Sequence, residues 1–227
     1  MKENILFVIS GPSGVGKGTL LAEMVKNDDS LVYSVSATTR NMRQGEAEGV
    51  TYYYKSHEEF DRLIEAGDVI EWDEYEGNKY GTLISSINKS LETGKNIVFD
   101  ITVPGAVNIK KTYGDRAVSV FILPPSIEIL RDRLLGRNRE GLEEIESRIS
   151  FAVNGEISQY KNFDYVIINS DLDTTVESLF DILHATAIKY RNSASHTQEE
   201  EAILQKAEQY RTEKCGTEIE EKLHISN

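Results

Sequence analysis

The sequence has a single cysteine, Cys215, so it can form no internal disulfide and build no cysteine-based zinc site. A reducing compartment fits that composition. Its four histidines, His57, His184, His196 and His224, are scattered without ligand spacing. No apolar run approaches the ~20 residues that a helix needs to cross a bilayer, and Met1-Lys2-Glu3-Asn4 leads straight into a short apolar stretch rather than a signal peptide. Basic residues are the scarcer charge, 25 against 38 acidic ones for a net charge of -13, so the surface repels nucleic-acid phosphates. The expectation is a soluble cytoplasmic protein with no nucleic-acid and no membrane partner. A homo-oligomer is left open.

The 227 residues are enough for one ordinary domain with an insertion and a tail. Four apolar runs read as buried strands: Ile5 to Ser10, Asn96 to Ile101, Ala117 to Leu123 and Tyr165 to Asn169. Their unbroken hydrophobicity predicts a parallel sheet, and the helical spacing between them, as at Thr19 to Val25 and Ile127 to Leu135, predicts an α/β fold. Residues 36–82 interrupt this rhythm. They contain an alternating run Thr51-Tyr52-Tyr53-Tyr54, a capping-box helix start at Ser56 to Glu59 and a strand-like run Val69 to Tyr75, together an inserted mixed α+β subdomain. The core is then residues 1–35 and 83–190. Residues 191–227 form a polar acidic tail with helix propensity and a thin apolar stripe, expected to be an exposed or docking helix whose removal leaves the core intact.

Directly after the first strand comes Gly11-Pro12-Ser13-Gly14-Val15-Gly16-Lys17, the spacing of a phosphate-binding Walker A loop. The glycines let backbone N–H groups curl around phosphate oxygens, the next helix offers its positive end, and Lys17 neutralises charge on the β- and γ-phosphates. A nucleoside triphosphate is the ligand this loop predicts. The residue after the lysine is usually Ser or Thr, whose hydroxyl binds Mg²⁺, but here it is Gly18 followed by Thr19. Downstream, Arg40 and Arg43 stand beside turn residues, where two guanidinium groups would clamp a second phosphate or lie on a solvated face.

The sequence resembles the guanylate kinase family in GPSGVGKGT at 11–19, SATTR at 36–40, RQGEAEG at 43–49, IEW at 70–72 and GNKYGT at 77–82. The similarity extends through the Arg137 to Arg148 segment and Asn169 to Asp173, about residues 4–190. This resemblance implies transfer of the γ-phosphoryl group of ATP to GMP, with Mg²⁺, on a P-loop core carrying a GMP-binding subdomain and a lid at about 137–148. It assigns the ATP phosphates to Gly11 through Thr19, and the adenine to Asn169. It gives Glu71 and Asp100 to the guanine donors, Ser36 and Thr82 to guanine O6, and Arg40, Arg43, Tyr52 and Tyr80 to the GMP phosphate. Lys17, Arg137 and Arg148 would meet the transferring group. Asp100 has an alternative place near Mg²⁺, and no residue is assigned as a direct metal ligand; Thr19 and Asp100 could act through water. The sequence departs from the family at Gly18 and in Asp100-Ile101-Thr102-Val103-Pro104-Gly105, where the usual Asp-x-Asp-x-Gln-Gly loses a carboxylate and a glutamine. Two other readings remain at this stage: a related binding module that has lost catalysis, and a different small-molecule kinase on the same scaffold.

Overall fold

The structure, a computed structural model, describes residues 4–75, 77–136, 142–191 and 195–223. In chain order the elements are β1 (Leu6–Ser10), α1 (Lys17–Asn27), β2 (Leu31–Tyr33), β3 (Ala37–Thr38), β4 (Tyr53–Tyr54), α2 (His57–Glu65), β5 (Val69–Tyr75), β6 (Asn78–Leu83) and α3 (Ile84–Glu92). There follow β7 (Asn96–Asp100), α4 (Val103–Tyr113), β8 (Ala117–Leu123), α5 (Ile127–Leu135), α6 (Leu142–Phe151), β9 (Tyr165–Ile168), α7 (Leu172–Tyr190), α8 (Gln198–Glu208) and α9 (Thr212–Leu223). A π turn, Ala152–Glu156, and a 3-10 turn, Ile157–Asn162, lie between α6 and β9.

The fold is α/β. Five strands form a parallel sheet in the order β2-β7-β1-β8-β9, and four form a mixed sheet in the order β4-β3-β6-β5. β1 is central because each of its five residues is buried, and successive side chains feed opposite faces. Phe7 and Ile9 join Leu20, Leu21 and Leu179 on one side, whereas Leu6 and Val8 join Phe99, Ile109 and Phe121 on the other. The register of β1 on β7 sets Ile9 opposite Asp100, so the end of β7 lies beside the loop that leaves β1. Ligands of open parallel sheets bind at this carboxyl edge.

The smaller sheet grows from strong local signals. Ser56 accepts from the Glu59 N–H at 3.1 Å while the Glu59 carboxylate accepts from the Ser56 N–H at 2.9 Å, which fixes the start of α2. Phe60 of that helix is fully buried with Ala37 and Leu83. Tyr53 packs against this cluster, and its neighbours Tyr52 and Tyr54 are left for the other side of the segment.

The tail packs more closely than its composition suggests. Helices α8 and α9 straddle the sheet: Ala207 of α8 is buried on one face, and Ile219 and Leu223 of α9 on the other. Between them the backbone pairs with β9, through an antiparallel bridge of Tyr165 with Arg211 and a bond from the Val166 N–H to the Tyr210 carbonyl at 2.9 Å. The open edge of the sheet is thereby covered. A thin apolar stripe sufficed because each helix needs to bury only a few side chains once the strand edge anchors the link between them. Among the described residues, no helix is long and apolar enough to cross a membrane.

Candidate active site

The loop after β1 is shaped by its glycines. Gly11 adopts φ 149°, and a Cβ there would stand 2.3 Å from the Ile122 carbonyl oxygen of β8, so the loop can lie on the sheet only without a side chain. Gly16, at φ 106°, caps α1 in a left-handed conformation, and a Cβ would meet the Asn169 amide nitrogen at 2.8 Å. Two further side chains brace the loop from beneath. Arg133 donates to the Val15 carbonyl at 3.0 Å and the Asn169 carbonyl at 2.9 Å, while the Asn169 amide donates to the Val15 carbonyl at 2.8 Å. Burial lowers the pKa of Arg133, whose guanidinium is engaged with two backbone carbonyls.

Asn169 is itself buried and fixed, its amide oxygen accepting from the Thr175 hydroxyl at 3.2 Å. The family resemblance gives this residue to adenine; the structure engages its side chain in holding the loop.

Lys17 opens α1 and folds back onto the loop, donating to the Gly11 carbonyl at 2.7 Å. Asp100, at the end of β7, lies 3.9 Å from it. Burial pushes the Asp100 carboxyl up, and Lys17 works against that rise. Glu156, at the end of the π turn, faces the same point: burial raises its pKa, opposed by Lys17 and by the Ser13 backbone N–H. From α6, Arg148 reaches the Ser13 hydroxyl at 3.4 Å. Thr19 and Gly18 are exposed on the first turn of α1, and a Cβ on Gly18 would meet nothing within 4 Å. Arg137 lies outside the described residues.

One cleft of about 270 Å³ joins this loop to the smaller sheet, with Ser13, Lys17 and Asp100 at one end and Ser36, Glu71 and Tyr80 at the other. Glu71, on β5, is held from both sides: its two oxygens accept from the Thr82 hydroxyl of β6 at 3.0 Å and the Thr102 hydroxyl at 3.0 Å. Burial pushes its pKa up, and those two bonds oppose the shift. Beyond Tyr80 the rings of Tyr52 and Tyr80 meet edge to face at 6.0 Å, and Arg40 lies over the Tyr52 ring at 5.6 Å.

Arg40 is forked onto Glu46, at 2.7 and 3.0 Å. Glu46 also accepts from the Arg43 backbone N–H at 2.7 Å and the Tyr54 hydroxyl at 2.8 Å. The Arg40 guanidinium and these donors hold its carboxyl down at about 2. Arg43 is exposed on the same turn.

Of the residues singled out from sequence, the structure therefore brings Ser36, Glu71, Tyr80, Asp100 and Lys17 around one cleft, with Thr82 buried behind Glu71 and Arg40 and Tyr52 behind Tyr80. Sequence reasoning missed Glu46, Arg133 and Glu156. An acid three residues after Arg43 in a turn was a readable sign of Glu46. For Glu156 there was no such sign, because the π turn moves it out of helical register.

A phosphate loop at the carboxyl edge of the central strand, with an arginine-bearing helix above it and a second polar pocket alongside, defines a P-loop phosphotransferase. The family model described as guanylate kinase matches residues 3–186. A guanylate kinase from Halalkalibacterium halodurans is 40% identical over 188 residues, 83% of this chain and 91% of that protein. One from Carboxydothermus hydrogenoformans is 42% identical over 189 residues, 83% and 92% of the two chains. The crystal structure of guanylate kinase from Anaplasma phagocytophilum aligns with a TM-score of 0.63 at 34% identity, over 83% of this chain and 88% of that one. This chain belongs to the guanylate kinase family.

Proposed function

We propose that this protein transfers the γ-phosphoryl group of ATP to GMP, giving ADP and GDP, and that it reads the guanine base at Glu71. The observation that carries this reading is the half-buried Glu71 carboxylate, fixed by two hydroxyls in the same cleft as Lys17. Guanine presents N1–H and N2–H₂ as donors, which complement a carboxylate, whereas adenine turns an acceptor nitrogen toward it. Each buried polar group left unpaired costs about 1 to 3 kcal/mol. A hydroxyl has one proton to donate, so while Thr82 donates to Glu71 the donor for guanine O6 is Ser36. Arg40, Arg43, Tyr52 and Tyr80 are the ligands of the GMP phosphate, with Glu46 holding Arg40 in place before the substrate arrives.

At the other end, the loop Gly11 to Thr19 holds the ATP phosphates and Lys17 neutralises charge on the group in flight. Arg148 meets it from α6, and Arg137 is the second lid cation of this scheme. The transferring phosphoryl needs positioning and charge neutralisation more than covalent help, so cations and backbone N–H groups suffice. Among the described residues no group of three or more His, Cys, Asp or Glu side chains could hold a metal ion. That donor set fits Mg²⁺ carried mainly by the phosphates, which keeps most of its water. Asp100 and Thr19 are the residues to hold it through water, and the ion would supply further neutralisation of the phosphate oxygens. Residues 36–82 form the GMP-binding subdomain of this scheme and residues 137–148 the lid. A cytoplasmic enzyme acting on ATP and GMP alone, without nucleic acid or membrane, is the partner assignment that follows.

The convergence of Lys17, Asp100 and Arg148 on one cleft supports transfer over a protein-binding role, which requires no such meeting. The test is ADP formation from ATP and Mg²⁺ with GMP, AMP, CMP or UMP as acceptor, beside a control with no acceptor. Rapid turnover with GMP alone is the expected result, and turnover independent of acceptor would overturn the reading.

A further inference from the structure

Thr102 stands where the family pattern carries a carboxylate, and its surroundings give it a definite task. It is the N-cap of α4, its hydroxyl oxygen accepting from the Gly105 N–H at 3.3 Å while its proton goes to Glu71 at 3.0 Å. One turn further, Gly105 lies against the Glu71 stem so closely that a Cβ would come within 2.4 Å of Glu71 Cγ and 2.6 Å of Ile101 Cγ1. After another turn, the Asn108 amide donates to the Ile70 carbonyl of β5 at 2.9 Å. Residues 102, 105 and 108 recur at helical spacing and so share one face of α4. That face grips β5 at Ile70 and Glu71, whereas Thr82 holds Glu71 from within the smaller sheet.

A carboxylate has roughly four lone-pair positions. Thr82 takes one on the first oxygen and Thr102 one on the second, which leaves each oxygen a single position for a substrate donor.

We propose that the first two turns of α4 act as a specificity clamp for the acceptor, with Thr102 as the positioning residue that sets the plane of the Glu71 carboxylate for the paired N–H donors of guanine. The inference rests on the GMP reading above. It explains how the pocket works without the second carboxylate: a hydroxyl that donates to Glu71 replaces an acid that would repel it. Thr102 lines the cleft, and its hydroxyl bonds run to Glu71 and Gly105, so its influence falls first on the acceptor.

The experiment is steady-state kinetics with ATP, Mg²⁺ and GMP for the unmodified protein, Thr102→Val, Thr102→Ser and Gly105→Ala, each with its melting temperature. Thr102→Val removes the donated bond at nearly constant volume and raises KM for GMP about tenfold, in line with loss of a hydrogen bond to a charged group. It changes kcat and KM for ATP less than about twofold. Thr102→Ser restores KM for GMP to within about threefold, and Gly105→Ala, by displacing Glu71, raises it further than Thr102→Val. A loss of helix capping alone would lower the melting temperature and leave KM for GMP unmoved, and that outcome overturns the clamp. So does a parallel rise in KM for ATP, or failure of Ser to rescue. If the unmodified protein does not phosphorylate GMP, the functional reading itself is wrong and the clamp falls with it; GMP turnover with a Val variant of normal KM refutes the clamp only.

Discussion

The two ends of the cleft are built from different materials. At the phosphate end the ligand-facing groups are mostly backbone, shaped by Gly11 and Gly16 and stiffened from below by Arg133 and Asn169. At the acceptor end they are side chains: Glu71, Ser36 and Tyr80 line the cleft, while Thr82 fixes Glu71 and Glu46 fixes Arg40 behind them. Phosphate is the same in every nucleotide, so a cage of N–H groups and one lysine reads it without discrimination. A base must be told from its rivals, and only side chains with specified donors and acceptors can do that. The difference shows where loss of a group damages rate and where it damages choice of substrate.

The largest effect should come from Lys17→Ala. It removes neutralisation from the transition state and should lower kcat by at least roughly 10²–10³, with the protein still folded; the GMP to AMP preference should survive in the residual activity. Near-normal kcat would remove Lys17 from the chemistry. Next comes removal of residues 192–227, which touches neither end directly. Burial of an Ile or Leu contributes about 1.5–3 kcal/mol, so exposing the surfaces now covered by Ile219, Leu223 and Ala207, together with the edge of β9, should lower the melting temperature by several degrees or more and weaken both ends in parallel. An unchanged melting temperature would restore the view of a dispensable tail. Glu71→Gln is narrower: an amide cannot accept at both positions, so kcat/KM for GMP should drop roughly 10- to 100-fold while KM for ATP holds. Equal damage to both substrates would break the distinction between the ends.

The smallest of these effects is on pH dependence, and its sign follows from Glu71. Burial raises its pKa above the ordinary 4.5, and only the ionised form accepts at both oxygens from the paired guanine donors. GMP use should therefore fall as pH drops through a value above 4.5, and the acid limb that depends on Glu71 should vanish in Glu71→Gln. For stability the sign reverses: a raised carboxyl favours the folded protein at low pH, and that contribution is lost as pH rises through the folded pKa. Glu46, held at about 2, behaves oppositely, and its bond to Arg40 persists until pH falls from about 4.5 toward 2. A limb unchanged by Glu71→Gln would assign it to another group.

The contrast between the ends also explains what the sequence made readable. The phosphate loop is contiguous, so its spacing alone located Gly11 to Lys17, and the buried strands were legible because parallel strands carry unbroken apolar runs. Ala117 to Leu123 matches β8 residue for residue. The acceptor end was reached through family resemblance, since nothing local in a strand reading Val69 to Tyr75 announces that Glu71 turns into a cleft rather than toward water. Its fixing by Thr102 depends on a contact across 31 positions. Arg133 was hidden for a similar reason: on α5 it looks like any surface arginine, and only folding brings it under a loop 118 positions away. How closely the tail packs could not be read from its few apolar residues, because pairing with β9 supplies anchorage that composition cannot reveal.

The most direct test of the account is the ratio of kcat/KM for GMP to that for AMP, measured in the unmodified protein and in Glu71→Gln. A site built to pair the guanine edge should give a ratio above about 10³ in the unmodified protein, and Glu71→Gln should reduce it at least tenfold through the GMP value. A ratio near one, or one that Glu71→Gln leaves unchanged, would contradict the claim that this carboxylate reads the base.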